Sequence, residues 1–159
     1  MDADGNVSVL RRHLLAPLTK EFIMAFVHGK SSVFKVDNAA GTLTDISTYV
    51  KDCSLAESID VPETSTFGSS AKTFLTGLYT GTFSISGLFD PTANTVLSGI
   101  VAASASKSIE YGPAGSTAGN PKFTAEAIMT SYSITGDVAD AVQFSAEFQI
   151  TGAVTLGTY

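Results

Sequence analysis

Two long alternations of apolar and polar residues run through Pro121 to Leu156. In the second, Phe144, Ala146, Phe148, Ile150, Val154 and Leu156 share one parity, and Gln143, Ser145, Glu147, Gln149, Thr151 and Thr155 share the other. Side chains alternate across a strand, so this is one dry face and one wet face. The first alternation puts Phe123, Ala125, Ala127 and Met129 on its dry side, then switches parity to Tyr132 and Ile134. A switch of this kind is what a β-bulge or a sharp bend produces. Between the two lies Gly136-Asp137-Val138-Ala139-Asp140, an acidic turn. The pattern predicts a long antiparallel hairpin, bent in its first arm.

Upstream, Phe26 to Val36 alternates loosely, and Asp37 to Gly41 supplies a turn. Asp45 and Ser47 are placed to cap a short helical turn. Val50 to Val61 reads as a strand with Cys53, Leu55, Ile59 and Val61 on one side. Asp52, Ser54, Ala56, Ser58 and Asp60 form a small, smooth, acidic face on the other. Pro62 to Gly77 is rich in turn residues yet holds Phe67, Phe74 and Leu75, and a loop of this length is usually functional or disordered. Gly81 to Phe89 is a further strand, with Phe83, Ile85 and Phe89 dry.

Asp90 suits a helix N-cap and Pro91 the first helical position. Ala93, Val96, Leu97, Ile100 and Val101 then follow the spacing of one buried helical stripe, which predicts a helix over about Pro91 to Ser104. Lys107 to Tyr111 is a short strand, and Gly112 to Pro121 a Gly/Pro/Ser loop. Strands, one helix and more strands define a mainly β fold: a sandwich or barrel of antiparallel strands with one flanking helix. Its expected interior sets Phe144, Phe148 and Ile150 opposite Phe83, Ile85 and Ile100.

Residues 1–23 differ from the rest. Leu10, Leu14, Leu15 and Leu18 have helical spacing, interrupted by Pro17. They are read as an arm ahead of a domain spanning 24–159, which either reaches a neighbouring subunit or frays. Lys20-Glu21 can be encoded by a ribosome-binding sequence, which makes Met24 a candidate natural start.

Composition narrows the function. The chain has 159 residues, enough for one domain with a real core. Charged residues make up 15%, against a usual ~25%, so much of the surface is expected to meet something other than water. A net charge of −6 argues against a basic nucleic-acid surface. The single cysteine, Cys53, lies on the apolar parity of its strand, where a small buried hydrophobe is expected rather than a nucleophile. No apolar run reaches the ~20 residues of a membrane span.

No catalytic constellation is visible. His13 and His28 lack partners at metal-ligand spacing. Asp137 and Asp140 lack the ligand density of a Ca²⁺ loop. The Gly-rich segments carry neither a Gly-Lys-Ser/Thr phosphate cradle nor a GxGxxG motif. The sequence therefore predicts a non-enzyme without cofactor or metal.

Three pieces in order, MAFVHGKSSVFKVDNAAGTLTDIS, DVPETSTFGSSAKTFLTGLYTGTFSISGLFDP and FTAEAIMTSYSITGDVADAVQFSAEFQITGAV, resemble the tail tube (major tail) proteins of long-tailed, lambda-like siphophages. The resemblance runs from about Met24 onward. It implies a β-sandwich subunit with a flanking helix, and hexameric rings that stack into a virion tail tube assembled in the host cytoplasm. It also implies a tape measure protein and tail-end proteins as partners, DNA passing through the lumen without specific binding, and no membrane partner. On this reading Asp52, Ser54, Ser58 and Asp60, with Glu126 and Glu147, are expected on the inner wall. Phe67, Phe74 and Leu75 are expected at subunit contacts. Two other classes stand beside it: a capsid-decorating or tail-end virion protein, and a ligand-binding β-sandwich module. The absence of Trp and the dry parities of the Phe residues disfavour the last.

Overall fold

A computed structural model describes residues 26–159. The arm over 1–23, the leucine pattern within it, His13 and the candidate start at Met24 lie outside the described residues. Among the described residues, seven strands form one antiparallel sheet: β1 (Val33–Asp37), β2 (Leu43–Asp45), β3 (Val50–Ile59), β4 (Tyr79–Leu88), β5 (Lys107–Gly112), β6 (Pro121–Thr135) and β7 (Gln143–Thr158). Their order across the sheet is β2-β1-β5-β6-β7-β4-β3. The α-helix among the described residues, α1 (Pro91–Ser98), follows β4.

The hairpin of β6 and β7 forms as its alternation predicts, and its bend has a defined cause. Met129 pairs with Phe148 and Ser131 with Glu147, so Thr130 is an extra residue in β6. That bulge moves Tyr132 onto the side occupied by Met129. A second irregularity sets Ala125 alone against Gly152, Ala153 and Val154. Gly152 takes a φ of 88° there, which a residue with a Cβ adopts only at a cost. The even parity of β7 is dry from Phe144 to Ile150, half-buried at Val154 and exposed at Leu156, where the strand runs past the core.

The sheet curls until β1 lies over β4 and β7. Phe34 meets Phe83 and Phe148 at ring centroid distances of 6.2 and 6.3 Å. Val36, Ile46, Ile85, Ile109, Ala127 and Ala146 complete this buried layer. The predicted interior residues are all buried, but their arrangement differs from expectation. Phe83 pairs with Phe148 and Ile85 with Ala146 on adjacent strands, so these are neighbours within the sheet. What packs across from them is Phe34 on β1.

Helix α1 starts as predicted: Asp90 accepts the N–H of Thr92 at 2.7 Å, and Pro91 opens the first turn. It ends at Ser98 rather than Ser104, because Gly99 follows and the chain continues in turns. Ile100 is nonetheless buried; the apolar spacing was satisfied by a turn rather than by more helix. The stretch from Phe26 is strand only from Val33. Before it, Gly29–Ser31 forms a 3-10 turn in which His28 Nδ1 accepts the N–H of Lys30.

Phe148 is 1% exposed and touches both layers, so Phe148→Ala is expected to cost about 3–5 kcal/mol of stability, read as a shift of the unfolding midpoint in denaturant.

Candidate assembly faces

The polar parities of four strands fall into register as one continuous face. Asp52 pairs with Ser86, Ser86 with Ser145, and Ser145 with Ser133. The next row is Ser54, Ser84, Glu147 and Ser131, and the next Ala56, Thr82, Gln149 and Ile128. Ser58 pairs with Thr80, and Glu126 sits between Thr151 and Ser108. Directly opposed residues point to the same side of a sheet, so these side chains share the face turned away from the core. Asp60 extends it one step past β3, where its N–H bonds Leu78 and its carbonyl accepts from Gly77. All six residues expected on a wall, Asp52, Ser54, Ser58, Asp60, Glu126 and Glu147, are thus exposed on one surface. Ser106 and Ser108 hold the Glu126 carboxylate; Asp52 and Glu147 have no ion-pair partner among the described residues.

The segment between β3 and β4 is an ordered arm rather than an irregular loop. Thr64 donates its N–H to Thr73, Leu75 to Pro62, and Lys72 pairs with Glu63 at 2.9 Å. The hydroxyls of Thr64 and Thr73 meet at 3.0 Å. This narrow ribbon prolongs the β3–β4 hairpin and carries Phe67 at its tip, 110% exposed, with Phe74, Leu75 and Leu78 also in solvent. The sequence marked the apolar residues but not the ribbon, whose short Thr and charge pairs resemble any polar loop.

Besides the short outer edge of β2, two backbone edges stay unpaired among the described residues. β3 pairs only with β4 along its whole length. β5 covers β6 only from Phe123 to Ala127, so Ile128 to Thr135 pairs with β7 alone. Open edges of this length are templates for another strand.

On the same polar side, near β1, lies a charge cluster that no sequence signal announces. Glu110, 8% exposed, accepts from Lys35 at 2.6 Å and from Lys122 at 3.3 Å. Both ammonium groups also stand over the Tyr159 ring, at 5.3 and 5.1 Å from its centroid. Gly112 makes room for that ring, since a Cβ there would lie 2.7 Å from it. Burial, then the nearby Glu110 carboxylate, pushes the Tyr159 phenol up to about 12.

Cys53 is half-buried against the core, as its parity implies, and burial followed by the Asp52 charge pushes its thiol up to about 12. A cavity of about 510 Å³ opens between the starts of β1 and β3 and is lined by His28, Lys30, Lys51, Asp52 and Tyr111 among others. No group of three or more potential metal ligands gathers there or elsewhere among the described residues.

The curled antiparallel sheet with one flanking helix is a tail-tube-like fold, shared with tail proteins of known structure. The chain is similar to a protein in the tail of an empty gene transfer agent particle refined with C6 helical symmetry, at a TM-score of 0.70 and 13% identity over 84% of this chain and 100% of that one. It is similar to the SPP1 tail tube protein at a TM-score of 0.69 and 8% identity, covering 84% and 80%. A chain of the sheath–tube complex of an extracellular contractile injection system, PVC, matches at 0.66 and 13% identity, covering 86% and 95%. No protein-family model matches the sequence, and no curated protein does.

Glu110 supplies a pH test. Burial alone would raise its carboxyl, but the hydrogen bonds and charges of Lys35 and Lys122 outweigh that and hold it below the usual carboxylate range. A depressed folded-state pKa adds stability above the unfolded value of ~4.3, lost as pH falls through the lower folded value. Glu110→Gln is expected to cost about 1 kcal/mol at pH 7. Chemical denaturation across pH should show the gap between the two proteins closing in the acid range below ~4.

Proposed function

We propose that the chain is a structural subunit of a virion tail tube: rings of six copies that stack into a conduit for DNA, with no enzymatic role. The observation that carries this reading is the pair of free edges on one four-stranded run, β6-β7-β4-β3. The β3 edge of one copy adds to the Ile128–Thr135 edge of the next, so each copy contributes four strands to a shared barrel. Such closure pairs both of these edges. Six-fold closure follows the C6 symmetry of the gene transfer agent tail. A tape measure protein in the lumen, tail-end proteins at its tip and assembly in the host cytoplasm belong to the same reading.

One side of this run carries β1, β5 and α1, and the other carries the polar face. The bulkier layer takes the outer circumference, which turns Asp52, Ser54, Ser58, Asp60, Glu126 and Glu147 toward the lumen. Carboxylates repeated around each ring repel DNA phosphates, and short Ser and Thr side chains keep the wall smooth. A Lys/Arg lining would instead hold DNA through counterion release.

Ring closure is tested at β3. Asp60 donates its N–H to Leu78, so by alternation Glu57 directs its own N–H toward the free edge. Glu57→Pro removes that donor and leaves the β3–β4 ladder intact. Folded monomers that form no rings by electron microscopy are expected; normal rings would rule out the β3 edge as an interface.

The lumen is tested by Asp52→Lys with Asp60→Lys. Folded tubes that retain DNA on sedimentation, and virions that eject it more slowly, are the expected outcome. Tubes that carry no DNA would place these residues off the inner wall.

A further inference from the structure

The cavity between the starts of β1 and β3 lies at the free edge of β3. Phe34, Val50, Cys53 and Tyr111 line it from the core side of the sheet. Lys30 and Lys51 line it too; both are exposed, and neither has an ion-pair partner among the described residues. Asp52 is the one carboxylate in the lining. Lys51 is an extra residue in β3, because Val50 pairs with Gly87 and Asp52 with Ser86. At the opposite edge of the run β6-β7-β4-β3, the free part of β6 leads into the turn 136–142, which holds Asp137 and Asp140 and no cation. Ile134, just before that turn, pairs with Phe144 and so lies on the core side of the sheet. It is nonetheless 48% exposed, since β5 does not extend to cover it.

We propose that this cavity is the socket for the end of β6 in the next copy around the ring, with Ile134 of that copy entering its apolar part and Asp137 meeting Lys51 and Lys30. The proposal rests on the edge-to-edge joining put forward above, and adds its register and a side-chain lock. Strand lengths fix the register closely. β3 has 10 residues, and the free stretch of β6, Ile128 to Thr135, is shorter, so all of it fits against β3. The four strands of the run alternate in direction, which makes β6 of the next copy antiparallel to β3. A slip of one residue would turn every side chain to the wrong face. Keeping the polar face continuous leaves two registers, with Ser133 of the next copy opposite Asp52 or opposite Ser54. In the first Ile134 comes opposite Lys51, in the second opposite Cys53, and both residues line the cavity. In both, the acidic turn runs on past the start of β3 beside Lys51. Charge selects the same occupant. Asp137 accepts only the N–H of Ala139 and keeps acceptor capacity for an ammonium. In a chain of net charge −6, two unpaired lysines at one cavity are a local reversal that fits an acidic segment. Socket and plug sit on different edges of one chain, a heterologous contact that closes into a ring by rotation.

Charge exchange in the full chain tests the lock. Lys51→Asp and Asp137→Lys change exposed positions, so each variant is expected to unfold at the same denaturant midpoint as the unaltered chain. Each alone sets like charges together at every join. Each is expected to raise the protein concentration at which rings appear, read by sedimentation and electron microscopy, about tenfold or more. Mixed in equal amounts, the two are expected to form rings at the concentration the unaltered chain needs. Alternating copies then restore a Lys–Asp pair at every join, and a ring of six closes in that order. Both changes in one chain should rescue ring formation in the same way. Ile134→Gln, at a side chain already half in solvent, should weaken ring formation and leave the monomer folded. Single charge variants that form rings as readily as the unaltered chain, or a mixture no better than its parts, would overturn the proposal and leave the tube reading standing. An unaltered chain that forms neither rings nor tubes would remove the tube reading, and this proposal with it.

Discussion

The contact of Phe34 with the cross-strand pair Phe83 and Phe148 holds the rest of the molecule in place. A flat seven-stranded sheet with one apolar face would leave that face in water. By curling until β1 meets β4 and β7, the sheet buries it against itself, and α1 closes what remains open. The curl depends in turn on two local irregularities, the extra Thr130 in β6 and the three-against-one mismatch opposite Ala125. Bulges bend the strand that carries them and increase local twist. The core and the bends are therefore one device, and neither would persist without the other.

That curl also decides what is left over. Folding β1 and β5 across one side of β6-β7-β4-β3 buries most of the apolar parity of these strands, so the other side can be largely polar, with Ile128 and Leu88 as exposed apolar members. It also leaves β5 too short to cover β6, which exposes the second half of that strand. The unfinished edges, the largely polar face and the projecting ribbon are complementary parts of one arrangement. The proposed tube would use all three at once.

Much of this was legible in the sequence, for a physical reason. Strand alternation and helix spacing are local signals, and they located the hairpin, its bend, the capped helix and the acidic face of β3. Where local signals are degenerate they failed. Ile100 and Val101 continue a helical spacing, but only Ile100 is buried, because Gly99 ends the helix and a turn delivers it to the core. Phe83 and Ile85 could be read as interior but not as neighbours of β7, since parity says which side a residue faces and nothing about the strand beside it. The Glu110 cluster draws on residues spread from Lys35 to Tyr159, and only the folded topology brings them together. The ribbon between β3 and β4 was visible as apolar residues in a turn-rich stretch, but its pairing of Glu63 with Phe74 is a tertiary outcome.

The environment of Cys53 bears on how such a particle would age. Peroxide and disulfide chemistry begin with the thiolate, and a thiol pushed up to about 12 offers almost none at neutral pH. Asp52, immediately before it, adds a negative charge that discourages deprotonation further. A tube built from many copies would otherwise repeat any reactive sulfur in every ring, and one oxidised position could cross-link or swell the wall. In the proposed tube, a half-buried, protonated sulfur would slow such oxidation in aerated water.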